Sequence, residues 1–326
     1  MPFELTFKRP RLPFAGANSP RSIKLLEGGA AIFAAPHGTP YEGIDNRPHA
    51  ATADALRKAI SADAGWRDHW DFDLGAPLLG DGTFKLADLG DLPTRSQAGA
   101  SNRALIEAAT RAIVARGAVP IMIGGDDSTP IPFIGALADH APLTVLQIDA
   151  HIDWRNQRRG EALGFSSTMR RASEMPHVAR IVQVGIRGLG SARKKEFDDA
   201  RTWGAHIIPA DLIHAGGVKE ALELIPKGVN CMITLDCDAI DGTCMPAVMS
   251  PTPGGLSYPQ IIDLVAGVAN KARLVAFDLI EFVPARDPTG YAAFVAARIA
   301  WHAVGRLANR HAHSAAIAAG RDLPLR

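Results

Sequence analysis

Cysteine is scarce in this 326-residue chain, and the three present, Cys231, Cys237 and Cys244, sit in one short stretch. An odd, clustered set excludes the disulfide framework of a small secreted module and fits reduced thiols in a cytoplasmic protein. There is no secretory leader and no apolar run long enough to cross a bilayer, so no membrane association is expected. Excess charge is missing as well. Lys and Arg number 35 against 34 Asp and Glu, a net charge of +1. With the arginines scattered and no basic run, the usual footprint of nucleic-acid binding is absent. No internal repeat, low-complexity segment or composition break marks a linker, so one domain is expected over residues 1–326. Residues 1–22, with four prolines, read as an arm over the surface or against a neighbouring subunit, and about 310–326 as a tail.

What is present is globular: 47% hydrophobic and 21% charged residues. Short continuous apolar runs at 30–35, 118–123, 143–148, 180–185, 205–208, 230–235 and 273–279 read as buried strands, with a further one near 86–92. Helical spacing falls at 50–61, 131–140, 191–202, 212–225, 258–270 and 290–309. Another helix, N-capped by Ser101 and ended by Gly117, carries Leu105, Ala109 and Ile113 on one face. Apolar strands alternating with helices imply an α/β fold with a mostly parallel sheet covered on both faces. Ligands of such sheets collect beyond the carboxyl ends of the strands.

Several of those ends are acidic. The run Val145-Leu-Gln-Ile-Asp-Ala-His-Ile-Asp153 carries Asp149, His151 and Asp153 at alternate positions, which an extended chain would point to one side. Alone, the aspartates could be strand-end caps and His151 a surface imidazole. Two more stretches repeat the plan: Asp236 and Asp238 close the run at 231–238, and Glu281 closes that at 274–281. Desolvated carboxylates crowded at neighbouring strand ends stay ionised only if paired or metal-bound. Four or five of them with one imidazole suffice for two divalent ions. Cys237, between two candidate ligands, is expected to point the other way and pack, and His37 and His49, in or near the turn-rich loop that begins at Pro36, read as surface histidines.

Together these stretches resemble the signature of the ureohydrolase family, which includes arginase and agmatinase. Gly-Gly-Asp-Asp-Ser at 124–128 is similar to the family's Gly-Gly-Asp-His-Ser, and Asp-Ala-His-Ile-Asp at 149–153 matches outright. Asp236-Cys-Asp238 with Asp241 resembles its Asp-x-Asp-x-x-Asp segment; Asp88-Leu-Gly-Asp91, Pro253-Gly-Gly-Leu256 and Asp278-Leu-Ile-Glu281 fit too. Arg170-Arg-Ala172 and the Pro-Gly-Gly-Leu loop point to the agmatinase branch. The resemblance implies an arginase-like, three-layer α/β/α fold and a homo-oligomer, commonly a trimer or hexamer. It also implies a pair of divalent ions, most in keeping with Mn2+, that hydrolyse a small cationic guanidino substrate to urea and an amine. One ion would take Asp149, His151, Asp236 and Asp238; the other Asp127, Asp149, Asp153 and Asp236. In this reading Asp149 and Asp236 bridge, two metals acidify a shared water, and Glu281 pairs with the substrate guanidinium. Phe165 and Asp241 join Glu281 as substrate-side residues.

Two departures mark this chain. Asp127 stands where the family has a histidine ligand, and Phe165 where it presents a pocket histidine. The second implies a pocket unlike that of a typical agmatinase. Two other readings remain open at this point: hydrolysis of another linear C–N bond, formimino or amide, on the same metals, or a weakly active subunit kept for assembly.

Overall fold

The structure, a computed structural model, describes residues 5–79, 82–189 and 192–318. The first four residues of the expected arm, the start of the helix expected at 191–202, and 319–326 of the expected tail lie outside the described residues. The strands are β1 (Ala30–Ala34), β2 (Trp70–Asp71), β3 (Ala76–Pro77), β4 (Leu86–Asp91), β5 (Val119–Ile123), β6 (Leu143–Ile148), β7 (Val178–Ile186), β8 (His206–Pro209), β9 (Asn230–Asp236) and β10 (Arg273–Ile280). The helices are α1 (Thr52–Ala59), α2 (Gly99–Val114), α3 (Pro130–Gly135), α4 (Thr168–Ser173), α5 (Lys194–Trp203), α6 (Ala210–Gly216), α7 (Lys219–Glu223), α8 (Tyr258–Lys271) and α9 (Tyr291–Ala318).

Eight strands form one sheet in the order β4-β1-β5-β10-β9-β6-β7-β8, and every adjacent pair in it is parallel. Successive residues of a strand face opposite sides. Ile121 and Ile123 therefore join one apolar cluster with residues of α1, α8 and α9, while Met122 joins the other with residues of α2, α3 and α4. Two cores on two faces of one sheet make the three-layer α/β/α sandwich. Cys237 packs fully buried in the first of them, as expected.

All eight sheet strands fall on the apolar runs of the sequence, whereas the helices differ in extent. Ser101 is not a cap: α2 begins at Gly99, because the Asn102 side chain bonds Arg95 N–H, Arg95 C=O and Gly38 C=O and fixes the entry of the chain. The helix expected at 212–225 is broken in two at Gly217, whose φ of +72° ends α6. The expected tail from 310 is helical as far as Ala318, with the Arg310 guanidinium donating to Ala269 C=O. The expected arm is anchored rather than draped: Phe14 is fully buried, and its N–H donates to Asp88 at 2.9 Å.

Candidate metal centre and substrate cleft

β5, β10, β9 and β6 are neighbours, so their carboxyl ends meet at the middle of the sheet edge. Beyond β5 the chain turns through Gly124-Gly125-Asp126-Asp127. A side chain at Gly125 would lie 2.7 Å from Pro36 C=O, so only glycine lets the two segments touch. Asp126 accepts from the Ser128 N–H and hydroxyl, and its other oxygen has no partner. The Asp127 N–H donates to Glu281 Oε1 at 2.9 Å, and the Asp127 Oδ2 is buried without a partner.

Asp149, His151 and Asp153 converge, but not by strand alternation, since β6 ends at Ile148. The segment after it is irregular, with Asp153 at φ +43°, and is held by a residue that the sequence motif does not include. Gln147 Nε2 donates to Asp149 at 2.7 Å and to Asp153 at 2.9 Å, while Gln183 in turn holds Gln147 Oε1 at 2.5 Å. A glutamine buried in a mostly apolar strand, two residues before Asp149, was the available signal. From β9, Asp236 caps the turn at Cys237–Ala239 by accepting the Asp238 N–H at 2.7 Å. Asp238 lies 3.1 Å from His151 Nδ1, and Asp149 lies 3.4 Å from the same nitrogen.

Two donor sets follow: Asp149 with His151 and Asp238, and Asp127 with Asp149 and Asp153, the ligand atoms of each within 4.8 Å of one another. They share Asp149, and Asp236 lines the same cleft. Burial, then the repulsion of neighbouring carboxylates, raises the carboxyls of Asp127, Asp149, Asp153 and Asp236 above their ordinary range. Burial opposes charge on His151, yet Asp149 and Asp238 push it up to about 12. Two shared clusters of oxygen donors, one imidazole and an orphaned Asp127 oxygen fit a pair of hard divalent cations.

Glu281, just past β10, adopts φ +63°, a conformation rare outside glycine, and turns its carboxylate into the cleft. Burial raises it to about 7, against the opposing influence of His49. His49 is not a surface residue. It is 2% exposed, donates its Nδ1–H to Phe282 C=O at 3.1 Å, and places Nε2 3.5 Å from Glu281. Nothing in the local sequence marks it, because only the fold brings the 36–51 loop over β10. His37 is half-buried against Thr94 and does not line the cleft.

The cleft, about 300 Å³, is also lined by Asn46, Arg158, Phe165, Met249 and Ser250. Phe165 packs edge-on to Tyr41 at 4.6 Å, with the Arg158 guanidinium over both rings. Asp241 is not brought to this cleft; it accepts from the Thr243 N–H and hydroxyl and closes its own turn.

Comparison with known proteins gives one answer. The chain is 32% identical over 206 residues to an N(1)-aminopropylagmatine ureohydrolase of Thermus thermophilus, 63% of this chain and 68% of that protein. It is 29% identical to a mitochondrial guanidino acid hydrolase of Homo sapiens, over 66% of this chain and 62% of that one. The matched stretches thus span about two thirds of these relatives. The agmatine ureohydrolase of Thermoplasma volcanium superposes with a TM-score of 0.76 at 25% identity, covering 93% of this chain and 96% of that one. Proclavaminate amidino hydrolase of Streptomyces clavuligerus, at 23% identity, shares the fold with a TM-score of 0.80 over 95% of this chain and 100% of that one. The Arginase family profile matches residues 30–305, and with the strand-end aspartates in the places described, the chain belongs to the arginase family of ureohydrolases, on its agmatinase side.

Proposed function

We propose that this chain hydrolyses a guanidino compound to urea and an amine, in a reaction that requires two divalent metal ions, with Mn2+ the best match to the donors. One ion would be held by Asp149, His151, Asp236 and Asp238, the other by Asp127, Asp149, Asp153 and Asp236. When bound, such a pair supplies the nucleophile by acidifying water near neutral pH. The observation that carries the reading is the separation of roles in one cleft. Two donor sets share Asp149, and Glu281 stands beside them, accepting the Asp127 N–H at 2.9 Å with His49 Nε2 3.5 Å away.

Glu281 is the group that receives the guanidinium. Its carboxylate, ionised by the arriving cation, makes charge-assisted bonds to the planar N–H groups and aims the central carbon at the metal side. His49, fixed through Nδ1 against Phe282, holds that carboxylate in place. The departing amine needs a proton, and Asp126, whose burial raises its carboxyl above the ordinary range, lines the cleft outside the donor sets. Phe165 excludes water and offers no hydrogen bond, which supports a substrate other than agmatine itself. The same reading carries a cytoplasmic homo-oligomer, trimeric or hexameric.

Urea release over a panel of guanidino, formimino and amide compounds, on metal-reconstituted protein, is the test. Asp236→Ala should lose both metals and all activity. Glu281→Gln should keep about two metals per chain while activity falls by orders of magnitude. Metal-free protein that is fully active would end this reading, and metal loss in Glu281→Gln would move that residue into the coordination shell.

A further inference from the structure

The cleft is lined mostly by carboxylates, but it also carries one permanent cation. Arg158 is the one Lys or Arg among the described lining residues. Its guanidinium lies 5.3 Å from the centre of the Tyr41 ring and 5.8 Å from that of Phe165, and it makes no ion pair or side-chain hydrogen bond among the described residues. The backbone behind it is fixed: Arg158 and Glu161 exchange N–H···O=C bonds at 2.9 and 3.0 Å, and Arg159 at the turn donates to Glu42 C=O at 2.7 Å. A cation stacked on two rings with its N–H groups unused is preorganised for an anion.

A second, independent donor lines the same cleft. Asn46 is 2% exposed; its oxygen accepts from the Ser96 hydroxyl, and its Nδ2 is buried with no partner among the described residues. A buried amide N–H left unmade is costly and marks a place where a ligand oxygen completes the bond. The nearby carboxylate that could have attracted an amine is already used: Asp45 takes the Arg47 guanidinium at 2.8 Å through both oxygens. The apolar members of the lining are Ile44, Phe165 and Met249.

We infer that Arg158 and Asn46 form a carboxylate subsite, and that the substrate is an ω-guanidino acid, its guanidinium at Glu281 and its carboxylate at that subsite. This rests on the hydrolase reading above. A compound ending in ammonium would set its charge against Arg158, whereas a carboxylate would satisfy both idle donors at once.

The test compares three compounds of equal length on the metal-loaded full chain, ending in carboxylate, methyl or ammonium, by urea release and by calorimetric binding. The acid should exceed the alkyl compound in kcat/KM by about 100-fold, mostly through KM, and the amine should rank last. Arg158→Gln should bring the acid-to-alkyl ratio close to one, and Arg158→Glu should place the amine ahead of the acid. A wild-type preference for the amine, or equal losses for all three compounds in Arg158→Gln, would overturn the subsite. If no compound yields urea, the hydrolase reading fails, while the binding ranking still decides the subsite: equal affinities sink it.

Discussion

Asp127 shows what a single residue changes at this site. With Asp149 and Asp153 it makes a donor set without nitrogen, and an all-oxygen shell favours hard ions over nickel, copper or zinc. Asp127→His should therefore broaden metal uptake, raising affinity for zinc or nickel relative to manganese on the order of tenfold, the scale on which changes around a metal act. Elemental analysis after competitive loading is the measurement, and an unchanged metal profile would show that Asp127 does not coordinate. At this scale the sequence was informative where chemistry follows an apolar run. Asp149, His151, Asp153, Asp236, Asp238 and Glu281 were all readable from the strands before them. His49, Asn46 and Arg158 were not, because each reaches the cleft on a loop whose path depends on distant contacts, such as His49 on Phe282. Asp241, readable by its spacing, lies outside the cleft lining, since its carboxylate bonds within its own turn.

The elements divide in the same way. Buried parallel strands were legible because each must be apolar on both faces, whereas helix ends were misplaced because tertiary bonds such as those of Asn102 set them. The short α4 and the β2–β3 hairpin carry too few residues for a period to register. One familiar stretch, Asp88-Leu-Gly-Asp91, gains a physical reason from the fold. Arg57 of α1 is 2% exposed and grips Asp88 through two bonds of 2.9 Å and Asp91 through one of 2.6 Å, while Asp88 also accepts the Phe14 N–H. This network ties α1 and the N-terminal arm to the edge strand β4. Arg57→Ala would leave Asp88 charged, fully buried and unpaired, which should destabilise the chain by about 3–5 kcal/mol. Adding Asp88→Asn should recover part of that loss. Urea unfolding reads both, and a single-variant loss below about 1 kcal/mol would mean that water or a rearranged loop replaces the guanidinium.

For the whole molecule, the acidic strand ends couple folding to protons and metal. Without metal, burial raises Asp127, Asp149, Asp153 and Asp236, takes Glu281 to about 7, and takes Asp278, which accepts the Thr234 hydroxyl, to about 8. Each of these carboxyls binds its proton more tightly folded than unfolded. Their contribution to stability is therefore complete below the unfolded values near pH 4 and is lost as pH rises through the folded ones. For Glu281 and Asp278 that window runs from about 4 to about 8. The metal-free chain should thus unfold at a lower temperature at pH 8 than at pH 5.5, opposite to a protein held by ordinary carboxylate ion pairs. Divalent metal reverses the sign, because it binds the deprotonated ligands and only the folded chain gathers them. At 100 times its dissociation constant, one ion adds about 2.7 kcal/mol, so two ions should raise the melting temperature by roughly 8 °C. The rise should be larger at pH 8 than at pH 5.5, where protons compete for the same oxygens. Differential scanning calorimetry of chelated and Mn2+-loaded protein at the two pH values measures both slopes. A chelated chain whose melting temperature climbs with pH would show that these strand ends are not the proton-binding centre of the fold.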